Sequence, residues 1–342
     1  MAEDISPFWA GARRLAGRVD LEELATWAGG WRALERCGVA ELEALGVSQH
    51  LAREWLERPA EQTLGLAITR ADADYPARLG LLPDAPPVLC VEGDPTVLAA
   101  CCVGVVGTRA CTPYGAAVAR HLGGAVAQRG GVVVSGLARG IDGHAHRAAL
   151  DAGAGTTVAV LGHGLGCTSP RSHTALRRAI VEQGGAVVSG LPDEFNPTRW
   201  SFPQRNRWIA ALSVVVAVIE APLKSGALIT AAEAASLDRP VFAVPAALGV
   251  TSSAGCLSLL ADGARCIHDV DAFADEVVGA LDPQLMLIDP LLEHLGTGAV
   301  PSEIARRAGM PVTDVLAKLA RLEVRGDVVR LPGQRFVPSR GS

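Results

Sequence analysis

Short apolar runs alternate with amphipathic stretches through the middle of the chain. The apolar runs predict strands at 102–106, 131–135, 156–161, 186–189, 213–219, 240–244 and 264–267. The stretches between them predict helices at 115–128, 141–151, 173–183, 205–212, 227–236 and 257–260. Strands that alternate with helices in this way are typical of a parallel sheet covered on both faces. The pattern therefore predicts an α/β, Rossmann-like, doubly wound parallel sheet.

The N-terminal part of the chain has a different pattern. Residues 1–60 show helical periodicity interrupted by glycines, with Leu21, Leu24, Trp27 and Ala28 on one face. They predict a small helical domain of the SAM or helix-hairpin-helix kind. Acidic residues between 35 and 43 oppose phosphate contact, so a structural or protein-contact role is favoured over DNA binding.

Proline density then marks a connector at 61–100, in which 88–91 predicts an edge strand. The connector is expected to fold onto the sheet, so that 61–280 forms one extended domain. From residue 281 onward, two helix starts with Ser302 and Thr313 as N-caps precede a hairpin around Pro332-Gly333. Residues 281–342 therefore predict a winged-helix domain, and their small basic excess leaves duplex DNA and protein contact both open.

Composition restricts the partners of the 342-residue chain. A net charge of −5 argues against a protein that coats nucleic acid through bulk electrostatics, so any nucleic-acid site must be a local patch. No signal peptide or membrane-length apolar run is evident, and a cytoplasmic protein without membrane contact is expected. The eight cysteines have neither zinc-site nor disulfide-framework spacing, which indicates reduced thiols and no metal.

Glycines, hydroxyls and cations follow several predicted strands. Arg109 follows the first strand, Gly136 and Gly140 follow the second, and Lys224, Ser225 and Gly226 follow the strand at 213–219. Because parallel strands end at one edge of a sheet, these loops are expected to converge. Strand-to-helix turns also use glycine for purely structural reasons. Several such loops together favour a phosphate-binding pocket with Arg109 and Lys224 as cations.

The stretch 200–208 interleaves aromatic rings with arginines, including Arg205 and Arg207. This mixture suits single-stranded nucleic acid, whose bases stack on rings while its phosphates contact guanidinium groups. In the alternative interpretation Trp208 and Ile209 are core residues, and the two arginines pair with acidic neighbours at 193 and 194.

The sequence contains no signature of a catalytic site. It has no triphosphate-binding Gly-x-x-x-x-Gly-Lys-Ser/Thr loop, no Gly-x-Ser-x-Gly motif and no metal-spaced histidines. Asp142 and His144 could act as acid and base, but a capping aspartate and a surface histidine are the favoured interpretation. The residues therefore show no convincing catalytic pair.

Five motifs together resemble the DNA-processing protein A (DprA/Smf) family. They are Gly-Thr-Arg at 107–109, Ser-Gly-Leu-Ala-Arg-Gly-Ile-Asp at 135–142, Phe-Pro-Gln-Arg-Asn-Arg at 202–207, Ser-Gly-Ala-Leu-Ile-Thr at 225–230 and Val-Phe-Ala-Val-Pro at 241–245. The resemblance covers about 60–270, and the two flanking domains also occur in members of the family.

The resemblance implies a homodimer that binds incoming single-stranded DNA in natural transformation, protects it and loads a RecA-type recombinase. It also implies residue roles. Arg109 and Lys224 would be the main phosphate contacts, while Arg205 and Arg207 would extend or buttress the pocket. Gly136, Gly140, Ser225 and Gly226 would shape the pocket.

Two departures from the family pattern and one alternative function stay open. The family commonly has Tyr-Pro and then Asn where this chain has Ser169-Pro170 and His173, and it has Pro-Gly where this chain has Pro245-Ala246. The alternative is a Rossmann-like phosphoribohydrolase, because residues 225–233 distantly resemble the glycine, threonine and glutamate motif of those enzymes. Ala227 stands where that motif has glycine.

Overall fold

A nine-stranded sheet forms the centre of the computed structural model. The model describes residues 3–16, 18–152, 157–279, 291, 295, 298–325, 328–331 and 334–338. The chain forms two units, Met1–Leu281 and Asp282–Ser342. Across the described residues, no helix has both the length and the apolar character needed to cross a bilayer.

The strands of the first unit are β1 Glu3–Ile5, β2 Glu61–Thr63, β3 Leu66–Thr69, β4 Val88–Gly93, β5 Cys102–Val106, β6 Val132–Ser135, β7 Thr157–Val160, β8 Ala186–Ser189, β9 Val215–Val218, β10 Val241–Ala243 and β11 Arg265–Cys266. Its helices are α1 Pro7–Leu15, α2 Leu21–Ala28, α3 Trp31–Leu34, α4 Val39–Ala44, α5 Gln49–Leu56, α6 Ala77–Gly80, α7 Pro113–Gln128, α8 Ile141–Asp151, α9 Thr174–Glu182, α10 Ser201–Leu212, α11 Gly226–Ser236, α12 Ala254–Ala261 and α13 Val270–Ala274. Short 3-10 helices occupy Pro95–Ala99, Arg171–His173 and Thr251–Ser253, and a π-helical turn occupies Asp275–Gly279.

The large sheet has the strand order β11-β10-β9-β5-β6-β7-β8-β4-β3. Strands β5 to β11 pair in parallel, which confirms the Rossmann-like α/β class. The sheet also contains two antiparallel strands from the connector, because β4 pairs antiparallel with β8 and β3 pairs antiparallel with β4. The prediction of an edge strand at 88–91 is wrong, since β3 covers the outer side of β4.

The N-terminal helices pack on the sheet. Their buried side chains, among them Phe8 and Trp55, belong to one apolar cluster with Val88, Cys90 and Leu161 of the sheet region. Trp55 Nε1 donates to the Phe8 carbonyl at 2.8 Å, which fixes α5 against α1. Two details differ from the sequence pattern. Trp27 is exposed, and strand β1, which pairs with β2, was not predicted.

The second unit contains α14 Pro301–Ala308, α15 Val312–Arg325 and the antiparallel pair β12 Val328–Leu331 and β13 Arg335–Pro338. The helices and the hairpin strands match the predicted winged-helix pattern, while the Pro332-Gly333 turn lies outside the described residues. The predicted caps are wrong, because Ser302 and Thr313 lie inside their helices. Pro301 occupies the first turn of α14, where a missing N–H costs nothing, so this helix begins before Ser302.

Candidate phosphate-binding site

The candidate site lies where the order of the parallel sheet reverses. From β5 the chain proceeds to β6 on one side, and β9 later pairs on the other side. The loops that follow these strands emerge together at the carboxyl edge, where open α/β sheets bind ligands. The Arg109 loop, the 136–140 loop and the loop that carries Lys224 all begin at this edge.

Backbone contacts fix the Arg109 loop from both sides. The Thr108 amide donates to the Glu220 carbonyl at 2.7 Å, and the Ile141 amide donates to the Thr108 carbonyl at 3.3 Å. The buried Glu220 carboxylate accepts from the Thr112 amide at 2.9 Å and from its hydroxyl at 3.1 Å. Thr112 in turn caps α7. The loop is thus rigidly held while the Arg109 side chain stays exposed.

Two guanidinium groups share one aromatic ring. The Arg109 Cζ lies 4.9 Å from the Phe202 ring centroid, and the Arg205 Cζ lies 5.9 Å from it. Both cations border a small cavity at this edge. It is lined by Val106, Gly107, Arg109, Ala138, Asp142, Phe202, Arg205, Asn206, Ile209, Ala227 and Thr230. The arrangement places two guanidinium groups, which are suited to anions, beside one recess that the Asp142 carboxylate also borders.

Arg205 is buried and has no hydrogen-bond partner among the residues that the structure describes. Its residue surface is 4% exposed, and its Nε has no hydrogen-bond acceptor. Burial lowers the pKa of Arg205 to about 10, with the Asp142 carboxylate opposing this effect and Arg109 adding to it. Burial also raises the pKa of Asp142, whose Oδ2 accepts from the Gly136 amide at 3.1 Å and the Ala138 amide at 3.3 Å.

Gly136 and Gly140 are required by close approach. A Cβ on Gly136 would lie 1.2 Å from Arg205 Nη1, so only glycine leaves room for the guanidinium. Gly140 has φ of +75°, and a Cβ there would lie 2.3 Å from the Thr108 carbonyl oxygen. Gly140 thereby lets the 136–140 loop pack against the Arg109 loop.

Two histidines form hydrogen bonds with the backbone of Leu137, which lies between Gly136 and Gly140 and has a φ of +55°. The Leu137 amide donates to His146 Nε2 at 3.3 Å, and His173 Nδ1 donates to the Leu137 carbonyl at 2.9 Å. The other nitrogen of His146 donates to the Thr157 hydroxyl at 2.8 Å, which itself donates to the Val133 carbonyl. His146 must therefore be neutral to accept the Leu137 hydrogen bond.

This histidine should make stability depend on pH. Burial, together with the neighbouring His173, Arg205 and Arg147, lowers the pKa of His146 to about 3. The unfolded chain protonates this ring near pH 6.5, so the free energy of unfolding should fall as pH decreases from about 6.5 towards 3. Urea unfolding measures this free energy. Between pH 7 and pH 5, the free energy of unfolding should fall by about 1–2 kcal/mol more for the unaltered chain than for His146→Gln.

The His146→Gln side chain can still accept from the Leu137 amide but cannot titrate. His50→Gln, a change at an exposed histidine, is the matched control and should keep the pH dependence of the unaltered chain. Equal losses in the unaltered chain and His146→Gln would show that His146 is not responsible.

Not every predicted site residue reaches the cavity. Arg207 pairs with Asp84 and, at 3.0 Å, with Glu233, so it joins α10 to α11 and does not line the recess. Lys224 is exposed and Ser225 caps α11, but neither lines the cavity. The Gly226 carbonyl accepts from Asn206 Nδ2 at 3.1 Å, which connects the α11 start to a cavity-lining residue.

The alternative interpretation is right that Arg207 pairs with acidic side chains, but the partners it names, Asp193 and Glu194, are wrong. Asp193 accepts from the Thr63 hydroxyl and the Leu64 amide, and Glu194 pairs with Arg14. Trp208 and Ile209 are buried core residues, as that interpretation expected.

The pattern of rings and arginines at 200–208 does not reveal that Arg109 and Arg205 both contact the Phe202 ring. Helix α10 begins at Ser201, four residues before the predicted start, and therefore includes Phe202. Asp142 and His144 also have separate partners, since Asp142 accepts loop amides and His144 contacts Arg120 at 3.3 Å.

Comparison with known proteins identifies the family. The model of the family described as DNA recombination-mediator protein A matches residues 66–278. The chain belongs to the DprA/Smf family. The DprA winged helix domain matches residues 289–334, which agrees with the fold of the second unit.

Individual DprA/Smf proteins resemble the chain over most of its length. Protein Smf of Escherichia coli is 37% identical over 297 residues, which cover 82% of this chain and 78% of that protein. The crystal structure of DprA from Streptococcus pneumoniae has a TM-score of 0.66 and 29% identity, covering 80% of this chain and 99% of that one. A structure of Helicobacter pylori DprA, described for its single-stranded DNA binding mode, has a TM-score of 0.58 and 30% identity, covering 64% of this chain and 99% of that one.

The two departures from the DprA pattern fall outside the cavity lining. His173 is buried and contacts the Leu137 carbonyl, so it supports the 136–140 loop from behind. The Ser169 carbonyl lies 3.2 Å from His163 Nε2. Ala246 borders a different cavity of about 540 Å³, next to Thr112 and Glu220. Neither departure removes a cation from the Arg109 and Arg205 cavity.

Proposed function

We propose that the chain binds single-stranded DNA by holding a backbone phosphate between Arg109 and Arg205. The observation that carries this proposal is the buried Arg205 side chain, whose Nε has no hydrogen-bond acceptor and which, among the described residues, has no ion-pair partner within 4 Å. Burying a charge without a hydrogen-bonded partner is costly. A phosphate oxygen in the adjacent cavity would supply the missing acceptor, and the exposed Arg109 would complete the contact.

The same cavity supports a preference for single strands. Its recess is small and bordered by the Phe202 ring, so it suits one phosphate and an adjacent unstacked base more than the regular surface of a duplex. The chain as a whole is acidic, with a net charge of −5, which disfavours general binding to polyanions. Binding is therefore expected to depend on this local group of cations.

The remaining predicted residues have proposed supporting roles. Lys224 is exposed and forms no ion pair with the residues that the structure describes, so it is available as an outer phosphate contact on the neighbouring loop. Arg207 would act indirectly, because its ion pairs with Asp84 and Glu233 support the helix that carries Arg205. Ser225 and Gly226 would fix the start of α11 beside Asn206.

The family relationship supports a wider role. The matching family is described as a recombination mediator, and the Helicobacter pylori relative is described as binding single-stranded DNA. We extend the proposal accordingly: a homodimer of this chain protects single-stranded DNA taken up in natural transformation and loads a RecA-type recombinase onto it. A cytoplasmic location is part of the same proposal.

Salt-dependent binding tests the proposed function. Fluorescence anisotropy with labelled oligothymidylate should show tight binding that weakens linearly in log Kd against log salt. A duplex of equal length should bind at least about tenfold more weakly. Equal affinity for both forms, or affinity insensitive to salt, would contradict the proposal.

The phosphoribohydrolase alternative gains no support from the site. The Glu233 carboxylate, which that chemistry would use, is held by Arg207 at 3.0 Å. Incubation with nucleoside monophosphates should release no free base. Release of base would favour the hydrolase.

A further inference from the structure

Trp200 is an unusually exposed aromatic residue two positions before Phe202, which borders the proposed phosphate site. Its surface is 73% exposed, whereas Trp9, Trp55 and Trp208 are buried and Trp27 is 58% exposed. The Arg199 guanidinium lies 4.8 Å from the Trp200 ring centroid. This large aromatic ring lies in solvent next to a cation and has no packing role in the described part of the chain. Such a ring is suited to contact a ligand.

The backbone that presents Trp200 is firmly anchored. The next residue, Ser201, is buried, and its hydroxyl donates to the Gly162 carbonyl at 2.5 Å. The Thr198 amide donates to the Ser201 hydroxyl at 3.1 Å, and the Ser201 amide donates to the Thr198 hydroxyl at 3.2 Å. These reciprocal bonds fix the start of α10, so Trp200 is held in place two residues before Phe202.

We propose that Trp200 is a stacking platform for one unpaired base of the strand whose phosphate lies between Arg109 and Arg205. This inference rests on the proposed function and adds a base-binding subsite to it. The acidic residue nearest in sequence, Glu194, pairs with Arg14 at 3.3 Å, while Arg199 adds a positive charge beside the ring. The local charge therefore favours a nucleic-acid strand over an acidic protein surface.

Stacking on Trp200 would favour single-stranded over duplex DNA but would not distinguish one base sequence from another. Every base has a π-face, so any base can stack on an indole ring. A base within a duplex already stacks on its neighbours and pairs with its complement, and it must leave the helix to reach the ring. The Trp200 subsite thus binds duplex DNA less tightly than single strands and does not discriminate between bases.

Abasic strands separate base stacking from phosphate contact. We compare the unaltered chain with Trp200→Ala, Trp200→Phe and Trp27→Ala, using oligothymidylate and an abasic oligonucleotide of equal length and charge. Trp200→Ala should weaken oligothymidylate binding by about 5- to 100-fold, while Trp200→Phe should recover most of the loss. Trp27→Ala, the control at an exposed tryptophan on α2, should have no effect. The slope of log Kd against log salt should stay unchanged in all four chains, because no phosphate contact is removed.

On the abasic strand, Trp200→Ala should bind as well as the unaltered chain. Two results would overturn the subsite: unchanged oligothymidylate binding by Trp200→Ala, or an equal loss on the abasic strand, which would indicate a structural or protein-contact role. Failure of the proposed function gives a different result, namely no salt-dependent binding of oligothymidylate by the unaltered chain.

Discussion

Replacing Arg109 by glutamate should weaken binding to oligothymidylate by about 100-fold. A hydrogen bond between charged groups contributes about 1.5–3 kcal/mol, and the new carboxylate would also repel the phosphate. Arg109 is exposed and forms no ion pair in the described part of the chain, so its replacement should leave the fold intact. Anisotropy titrations across salt should also show the slope of log Kd against log salt reduced by about 1.

Arg178→Glu is the matched control for this charge reversal. Arg178 is 76% exposed on α9, pairs with Glu182 at 3.5 Å, and does not line the cavity. The same change in net charge there should alter affinity by less than about threefold. Comparable losses in both variants would mean that net charge and not the Arg109 position governs binding.

Replacing Gly136 by alanine should weaken binding by about 10- to 100-fold without changing any charge. The added methyl group would lie 1.2 Å from Arg205 Nη1 and 2.3 Å from its Cζ, so the guanidinium would have to leave its position. Overpacking of this kind costs about 1–3 kcal/mol of stability, which urea unfolding would measure alongside oligothymidylate binding. The loss of affinity would show that the position of Arg205, and not its charge alone, is needed.

Gly226→Ala is the control within the same group of glycines. The nearest atom to a Cβ at Gly226 is Asn206 Nδ2, at an ordinary contact distance of 3.9 Å. Because this residue opens α11, alanine should be tolerated, and affinity should stay within about twofold. Unimpaired binding by Gly136→Ala, or an equal defect in both variants, would contradict the account of Arg205.

Much of this site can be predicted from the sequence, because the topology of a parallel sheet determines which loops lie together. Once β5 and β6 are assigned as parallel strands, their loops must emerge at one edge, which brings Arg109 and Gly136 together. Helix and strand boundaries in this region agree closely with the apolar pattern, as α8 at Ile141–Asp151 and β8 at Ala186–Ser189 illustrate. The antiparallel strands β3 and β4 were harder to place, because short proline-flanked segments leave register and neighbours undefined.

The separation of Arg205 from Arg207 follows from helix geometry. Residues two apart on an α-helix point in nearly opposite directions, whereas residues three apart share a face. Arg205 therefore faces the cavity with Phe202, and Arg207 turns towards Asp84 and Glu233. The early start of α10 was hidden by Pro203, which is compatible with a first helical turn because its missing N–H has no partner there. The hydrogen bonds of Leu137 to His146 and His173 join residues that are separated in the sequence, and no sequence motif predicts them.

The most direct test of the central claim is a crystal structure of the full chain with a short oligothymidylate. We expect a backbone phosphate oxygen within hydrogen-bond distance of both the Arg109 and the Arg205 guanidinium groups, beside the Phe202 ring. A bound strand whose phosphates lie elsewhere, with the Arg205 guanidinium still lacking an acceptor, would contradict it.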